Sequence, residues 1–233
     1  MISDFEPARA IRSFVIRGGR LTHGQRRALE TLWPRYGIDF GEAVLDLDAL
    51  YGRQAPRVLE IGFGNGENLL ALAQRQPERD FLGIEVHPPG LGRALLALQA
   101  AGLTNVRLSA HDAVEVLARQ LPRAAFDEVL ILFPDPWPKK RHHKRRLIQP
   151  SFVASLAERL QPGGVLHLAT DWAPYAEHML QVLEACPELE STSAGGIRRR
   201  SPGAAGRHPV TTRFEKRGAR LGHLVHELVY VRR

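Results

Sequence analysis

Three glycines fall in five positions in Glu60-Ile61-Gly62-Phe63-Gly64-Asn65-Gly66-Glu67, between a short apolar run and a helical pattern. Glycines there let the backbone approach a ligand closely at the carboxyl end of a strand. Dinucleotide folds space this loop G-x-G-x-x-G, with the third glycine for helix packing and the helix N-terminus on the pyrophosphate. Here Glu67 takes the third position. The spacing is instead G-x-G-x-G through Gly62, Gly64 and Gly66, with Glu60 two residues ahead. An acid so placed repels a pyrophosphate and suits a cation, which disfavours an NAD-dependent oxidoreductase. S-adenosylmethionine carries an ammonium, a sulfonium and no phosphate, so its charge fits. An ordinary strand-to-helix turn is the plainer alternative, and the glycine density argues against it.

Further carboxylates follow the later strand-like runs. Glu85 ends FLGIE, 25 residues after Glu60, where a ribose-binding acid sits in such folds; a carboxylate there can accept both ribose hydroxyls. Asp112, in SAHDAVEVL, suits an N-cap for 113–121, with Glu115 completing something like a capping box. It suits a cofactor contact equally, and the two roles are compatible. The run LILFPDPWP breaks at Pro134, and Asp135, Pro136, Trp137 and Pro138 form a stiff turn, since each proline fixes its own φ and restrains the residue before it. A rigid acid beside a large aromatic reads as a catalytic corner with Asp135 as its acid, or as a turn with a packed tryptophan.

Six permanent cations and two histidines come next without an acid: Lys139, Lys140, Arg141, His142, His143, Lys144, Arg145 and Arg146. A solvated face is one reading; placement beside the suspected pocket favours phosphate contact. His142 and His143 lack a cysteine partner or H-E-x-x-H spacing, so no metal is expected. Arg198-Arg199-Arg200 is a second cluster, and Arg9, Arg12, Arg17, Arg20, Arg26 and Arg27 crowd the first part of the chain.

The elements that must hold these residues are legible in the same sequence. RVLEI (57–61), FLGIE (81–85), VRLS (106–109), EVLILF (128–133) and VLHLAT (165–170) are short apolar runs of the kind buried parallel strands show. Between them lie helical stripes: Leu91, Ala94, Leu95, Leu98; Val114, Leu117, Leu121; Val153, Leu156, Leu160; and Tyr175, Met179, Val182, Leu183. Pro162-Gly163-Gly164 punctuates a helix end. The alternation predicts a doubly wound, mostly parallel α/β domain over 56–233, with HLVHELVYV (223–231) as a last strand. Residues 1–55 lack the alternation and read as a basic, partly flexible arm and a short helical segment around 24–36; 191–220 reads as a long loop.

Composition sets the outer bounds. The chain has 233 residues, 44% hydrophobic and 24% charged, which excludes disordered, collagen-like and disulfide-scaffold classes. Cys186 is alone, so neither an intrachain disulfide nor a multi-cysteine zinc site is available. Thirty-two Lys and Arg against 25 Asp and Glu give a net charge of +7, which favours a polyanion partner. MISDFEPARAIRSF has two acids and no apolar h-region, and no apolar run approaches the roughly 18 residues of a membrane helix, so a soluble cytoplasmic protein without membrane contact is expected.

Taken together, IGFGNG, FLGIEVHPPG, HDAVEVL, FPDPWPKKRHHKRR, ATDWAPYAEHML and TTRFEKRGARLGH resemble the bacterial tRNA (guanine-N7-)-methyltransferases of the TrmB type, as does RSFVIRGGRLTHGQRRALETLWPRYGI near the start. The likeness covers most of residues 11–230 and is weakest over 193–208. It implies a class I methyltransferase fold, S-adenosylmethionine as donor and guanosine at tRNA position 46 as acceptor. By position it implies that Glu60, Glu85, Asp112 and Asp135 bind the cofactor, and that Asp135 is also the catalytic acid. Lys139, Asp171, Thr212, Arg213, Phe214 and Glu215 match substrate-contacting positions, and Arg141–Arg146 an RNA-contacting loop. On spacing alone Asp171 reads as a helix cap, Lys139 as one cation among many and the 212–215 run as surface. The rival readings are an amino-methyltransferase on adenine or protein, because Pro-Asp-Pro-Trp loosely resembles a D-P-P-W corner, and a non-catalytic RNA-binding module. A monomer or homodimer is expected.

Overall fold

In the computed structural model, the described residues are 11–15, 20–201 and 213–233. Arg9, Arg17 and Thr212 lie outside them. The elements run α1 (His23–Thr31), α2 (Trp33–Tyr36), β1 (Gly37–Ile38), α3 (Leu47–Tyr51), β2 (Arg57–Ile61), α4 (Glu67–Arg75), β3 (Asp80–Ile84), α5 (Pro88–Ala101), β4 (Val106–Ser109) and α6 (Ala113–Glu115). Then follow β5 (Phe126–Leu132), α7 (Pro150–Arg159), β6 (Leu160–Thr170), α8 (Ala173–Glu184), β7 (Leu189–Ser191), β8 (Arg198–Arg200), α9 (Arg213–Arg220) and β9 (Val225–Arg232).

The strands form one mixed sheet in the order β1-β4-β3-β2-β5-β6-β9-β7, with β8 also on β9. β1 to β6 pair in parallel, and β9 runs antiparallel to β6. The five apolar runs are thus β2 to β6, and 223–231 supplies β9 as expected. Each parallel strand is apolar on both sides because helices cover both faces. Leu59, Leu82, Val129 and Leu166 pack with Phe152, Leu156, Tyr175 and Met179 on one face. Val58, Phe81, Val106 and Leu130 pack with Ala28, Leu69, Leu91 and Leu95 on the other. The alternation of 58 with 59 and 81 with 82 between the two clusters is the pleat at work.

Two expectations change. Residues 191–220 are not one loop: β8 pairs with β9 (Arg198↔Glu227, Arg200↔Val225), and α9 follows. Val114 does not belong to the buried stripe; it is exposed, while Val116, Leu117 and Leu121 are buried. The cause is a π-helical turn over Val116–Gln120 directly after α6, whose wider turn breaks the 3.6-residue register. The helical segment near the start is α1 and α2, opened by a capping box: Thr22 Oγ accepts the Gln25 amide (3.2 Å) and Gln25 Oε1 accepts the Thr22 amide (2.9 Å). α2 leads straight into β1, which adds an edge strand to β4.

Candidate functional site

The loop after β2 is built for close approach. Gly62, Gly64 and Gly66 all adopt left-handed backbone, with φ of 77°, 60° and 81°, which a side chain would strain. At the start of α5, a Cβ on Gly90 would stand 2.2 Å from the Gly64 carbonyl oxygen, so only glycine lets helix and loop meet. Glu85, just past β3, fixes this loop. Its Oε2 accepts the Gly64 amide (2.8 Å), and its Oε1 accepts the Val86 (2.7 Å) and His87 (3.0 Å) amides. Burial raises the Glu85 pKa and these N–H groups partly offset it. A carboxylate offers about four lone-pair directions. Three are taken by the loop, which leaves Glu85 acceptor capacity toward the cavity.

Glu60 lies beneath the loop and not on the cavity wall. It is 3% exposed and accepts Asn68 Nδ2 of α4 at 3.0 Å. Burial, together with the Glu85 charge, pushes its pKa up to about 8 against the pull of Asn68. A nearby cation would favour its ionised form. Gly66 is likewise buried, as the N-cap of α4.

Above the loop, a cavity of about 520 Å³ opens at the carboxyl ends of β2 to β5. Gly62, Gly64, Glu85, His87, Asp112 and Asp135 line it, which is where open α/β sheets bind ligands. Asp112 caps α6, its Oδ1 accepting the Val114 amide (3.0 Å), and it also lines the cavity. The capping box is not completed, because Glu115 turns to His111 Nε2 at 2.5 Å. The acid-lined wall and glycine floor fit a ligand with positive groups and no phosphate.

Asp135 stands on a strained corner. Phe133 and Trp137 on either side have φ of 54° and 44°, a region that costs a non-glycine residue about 1–3 kcal/mol. The Phe133 amide donates to Ala169 O (2.7 Å), and Trp137 Nε1 donates to Ser13 O (3.1 Å). Ser13, Phe14 and Val15 thereby form part of the cavity wall. Sequence reasoning missed this segment; a contact across 124 residues leaves no local signal.

The cation run is a 3₁₀ turn over Lys140–Arg145. Lys139, Lys140, Arg141 and Lys144 are exposed, and His142 and His143 half-buried. Arg145 stacks over the Trp137 ring at 5.2 Å. Arg146 departs from the expected RNA-contacting set. It is 4% exposed, donates from Nε to Pro136 O (3.0 Å) and lies 4.8 Å over the Tyr175 ring. Its guanidinium braces the corner from inside and does not face an external phosphate.

Asp171 follows β6 and does not cap α8; Trp172 holds the N-cap position, and its amide donates to Thr170 Oγ1 (3.2 Å). Asp171 instead meets His223 (Oδ2 to Nδ1, 3.5 Å) and the backbone of α9, where a Cβ on Gly218 would lie 3.0 Å from Oδ2. Arg213 and Phe214 open α9. Glu215 is 1% exposed and ion-paired to Arg200 at 2.5 Å, so it faces inward. Among the described residues no helix is long and apolar enough to cross a membrane.

A family profile described as "Putative methyltransferase" matches residues 54–228. The tRNA (guanine-N(7)-)-methyltransferase of Halorhodospira halophila is 57% identical over 223 residues, covering 95% of each chain. That of Alkalilimnicola ehrlichii is 58% identical over 227 residues, 97% of this chain and 94% of its own. Among solved structures, an antibiotic-related methyltransferase aligns with TM-score 0.60 at 15% identity, over 83% of this chain and 96% of its own. The 16S rRNA methyltransferase KamB aligns with TM-score 0.60 at 17% identity, over 82% and 94%. At those identities the last two speak for the fold alone.

Proposed function

Since this chain belongs to the tRNA (guanine-N(7)-)-methyltransferase family, we propose that its cavity holds S-adenosylmethionine, that its cation run holds tRNA, and that guanosine at position 46 is the acceptor. The enzyme is an S-adenosylmethionine-dependent methyltransferase that modifies N7 of guanine in tRNA. The observation that carries the site assignment is one juxtaposition: the acid-lined cavity opens at Asp135, and the exposed cations begin at Lys139, four residues on. We take 56–233 as the methyltransferase domain and 1–55 as its basic N-terminal extension. The described site residues belong to one chain, so the reading holds for a monomer or a homodimer, and we infer the cytoplasm as its compartment.

Gly62, Gly64, Glu85, Asp112 and Asp135 are the residues we assign to hold the cofactor, with Glu60 and Gly66 shaping the loop beneath it. When bound, the cofactor would supply a sulfonium methyl that is electrophilic toward the guanine N7 lone pair, with the neutral thioether as leaving group. N7 carries no proton, so no side chain is needed as a base. The protein's contribution is alignment of acceptor and donor, and only contacts stronger in the transition state than before it speed the step.

Labelled methyl transfer to unmodified tRNA, followed by digestion and nucleoside mass spectrometry, tests the reading. We expect 7-methylguanosine at position 46; label on adenine or on protein overturns it. The RNA face has its own test. Replacing exposed Lys140, Arg141 and Lys144 with Ala should reduce the slope of log affinity against log salt by about 2, at roughly 0.7–0.9 per phosphate contact. Cofactor affinity should not move. A wild-type slope would make the turn an ordinary solvated face.

A further inference from the structure

The arginine cluster at 198–200 divides in the fold. Arg198 and Arg199 are exposed on β8, while Arg200 is 7% exposed and points inward. Its Nε donates to Glu227 Oε1 of β9 at 2.8 Å, and its Nη1 donates to Glu215 Oε1 of α9 at 2.5 Å. Both carboxylates are 1% exposed. His167 of β6 approaches the same oxygen, with Nε2 3.8 Å from Glu227 Oε1. Burial opposes the Glu227 charge, but His167 and Arg200 hold its carboxyl down to about 2.

This arrangement bears on α9. RFEKRGAR contains two apolar residues beside its glycine, Phe214 and Ala219. Eight residues so composed make a marginal helix with little apolar area to dock it. Among the described side chains, the Glu215 carboxylate on Arg200 ties its first turn to the sheet. One turn later Gly218 comes against Asp171 at the end of β6, beside the β5 end that carries Asp135. A guanidinium is suited to this task, because its fixed fork can bind two carboxylates on two elements at once.

We propose that Arg200 is a positioning residue for the tRNA side of the site: clamped between Glu227 of β9 and Glu215 of α9, it holds α9 against Asp171. Through this clamp Glu215 fixes the start of α9. The inference rests on the assignment of Asp171 and the 212–215 run to the substrate side, and the test separates the two.

Arg200→Lys keeps the charge and loses the fork. In that variant amide exchange across 213–220 should accelerate at least tenfold, while peptides from β2 and β5 stay at wild-type protection. The tRNA KM should rise about tenfold, with S-adenosylmethionine affinity within threefold of wild type. Glu215→Gln, which keeps shape and one acceptor, should show the same pattern more weakly, and the double variant should be no worse than Arg200→Lys alone. Fast exchange in α9 with an unchanged tRNA KM keeps the clamp and removes α9 from the substrate side. Unchanged exchange in α9, or fully additive effects of the two substitutions, overturns the clamp. If Arg200→Lys loses protection throughout the sheet, Glu215→Gln decides by the same two readings.

Discussion

Asp135→Asn slows methyl transfer about 100-fold or more, the scale of losing one positioned electrostatic group. The expectation follows from where the acid sits. Residues on both sides of it are in left-handed backbone, and such strain persists only where the surroundings over-determine it. They do so here. Phe133 is tied to β6, Trp137 to Ser13, and Pro136 to the buried guanidinium of Arg146. The Asp135 carboxylate is therefore presented to the cavity by a frame fixed before any substrate arrives. Its task is not proton removal. Guanine N7 lies beside the acceptor O6, which a carboxylate repels, whereas the N1–H and N2 donors lie on the far edge of the base. Asp135 can grip that edge or orient the cofactor. Asparagine keeps the size of the side chain but cannot accept two donated bonds in the same way. Affinity for folded tRNA should change less than threefold, because phosphates dominate it. Single-turnover methylation at saturating cofactor and tRNA is the measurement. More than about a third of the wild-type rate in the variant would make Asp135 a structural turn residue.

How much of this corner was legible depends on which signals are local. β2 to β6 announce themselves because a parallel strand covered on both faces is apolar at nearly every position. The glycine loop announces itself because three left-handed residues need three glycines. The edge elements carry no such mark. β1 is two residues, β8 is Arg-Arg-Arg, and α9 has no apolar stripe; each exists because a neighbouring strand or carboxylate supplies its partner. Charge runs mislead in the same manner. The 139–146 run reads as one basic surface, yet Arg146 is folded back onto Tyr175. The 198–200 run reads as another, yet Arg200 is buried between carboxylates. Sequence records the sign of a side chain and not the direction it takes. Asp171 shows the converse: its spacing suggested a cap, and its actual neighbours, Gly218 and His223, lie about 50 residues further on.

Glu85→Gln weakens S-adenosylmethionine binding by about 1.5–3 kcal/mol, roughly 10- to 150-fold, the range for charge-assisted hydrogen bonds. Both carboxylate oxygens accept backbone N–H groups, Oε2 from Gly64 and Oε1 from Val86 and His87. An amide has only one oxygen, so whichever way Gln turns, its NH₂ faces a backbone donor. The variant therefore loses a charged acceptor facing the cofactor and also loosens the loop that the carboxylate holds at Gly64. Acidity gives a second reading. Glu85 binds as a carboxylate and its folded pKa is raised, chiefly by burial, so cofactor affinity falls as pH drops through that raised value. Glu60 adds a limb near pH 8, since the cofactor's positive groups favour its ionised form. The Glu85 charge is one cause of that elevation. In Glu85→Gln the Glu85 limb should vanish and the Glu60 limb should move to lower pH. Calorimetric titration from pH 5 to 9, with tRNA affinity as control, reads both. Cofactor affinity equal to wild type across that range would remove Glu85 from the binding site and leave it a loop anchor.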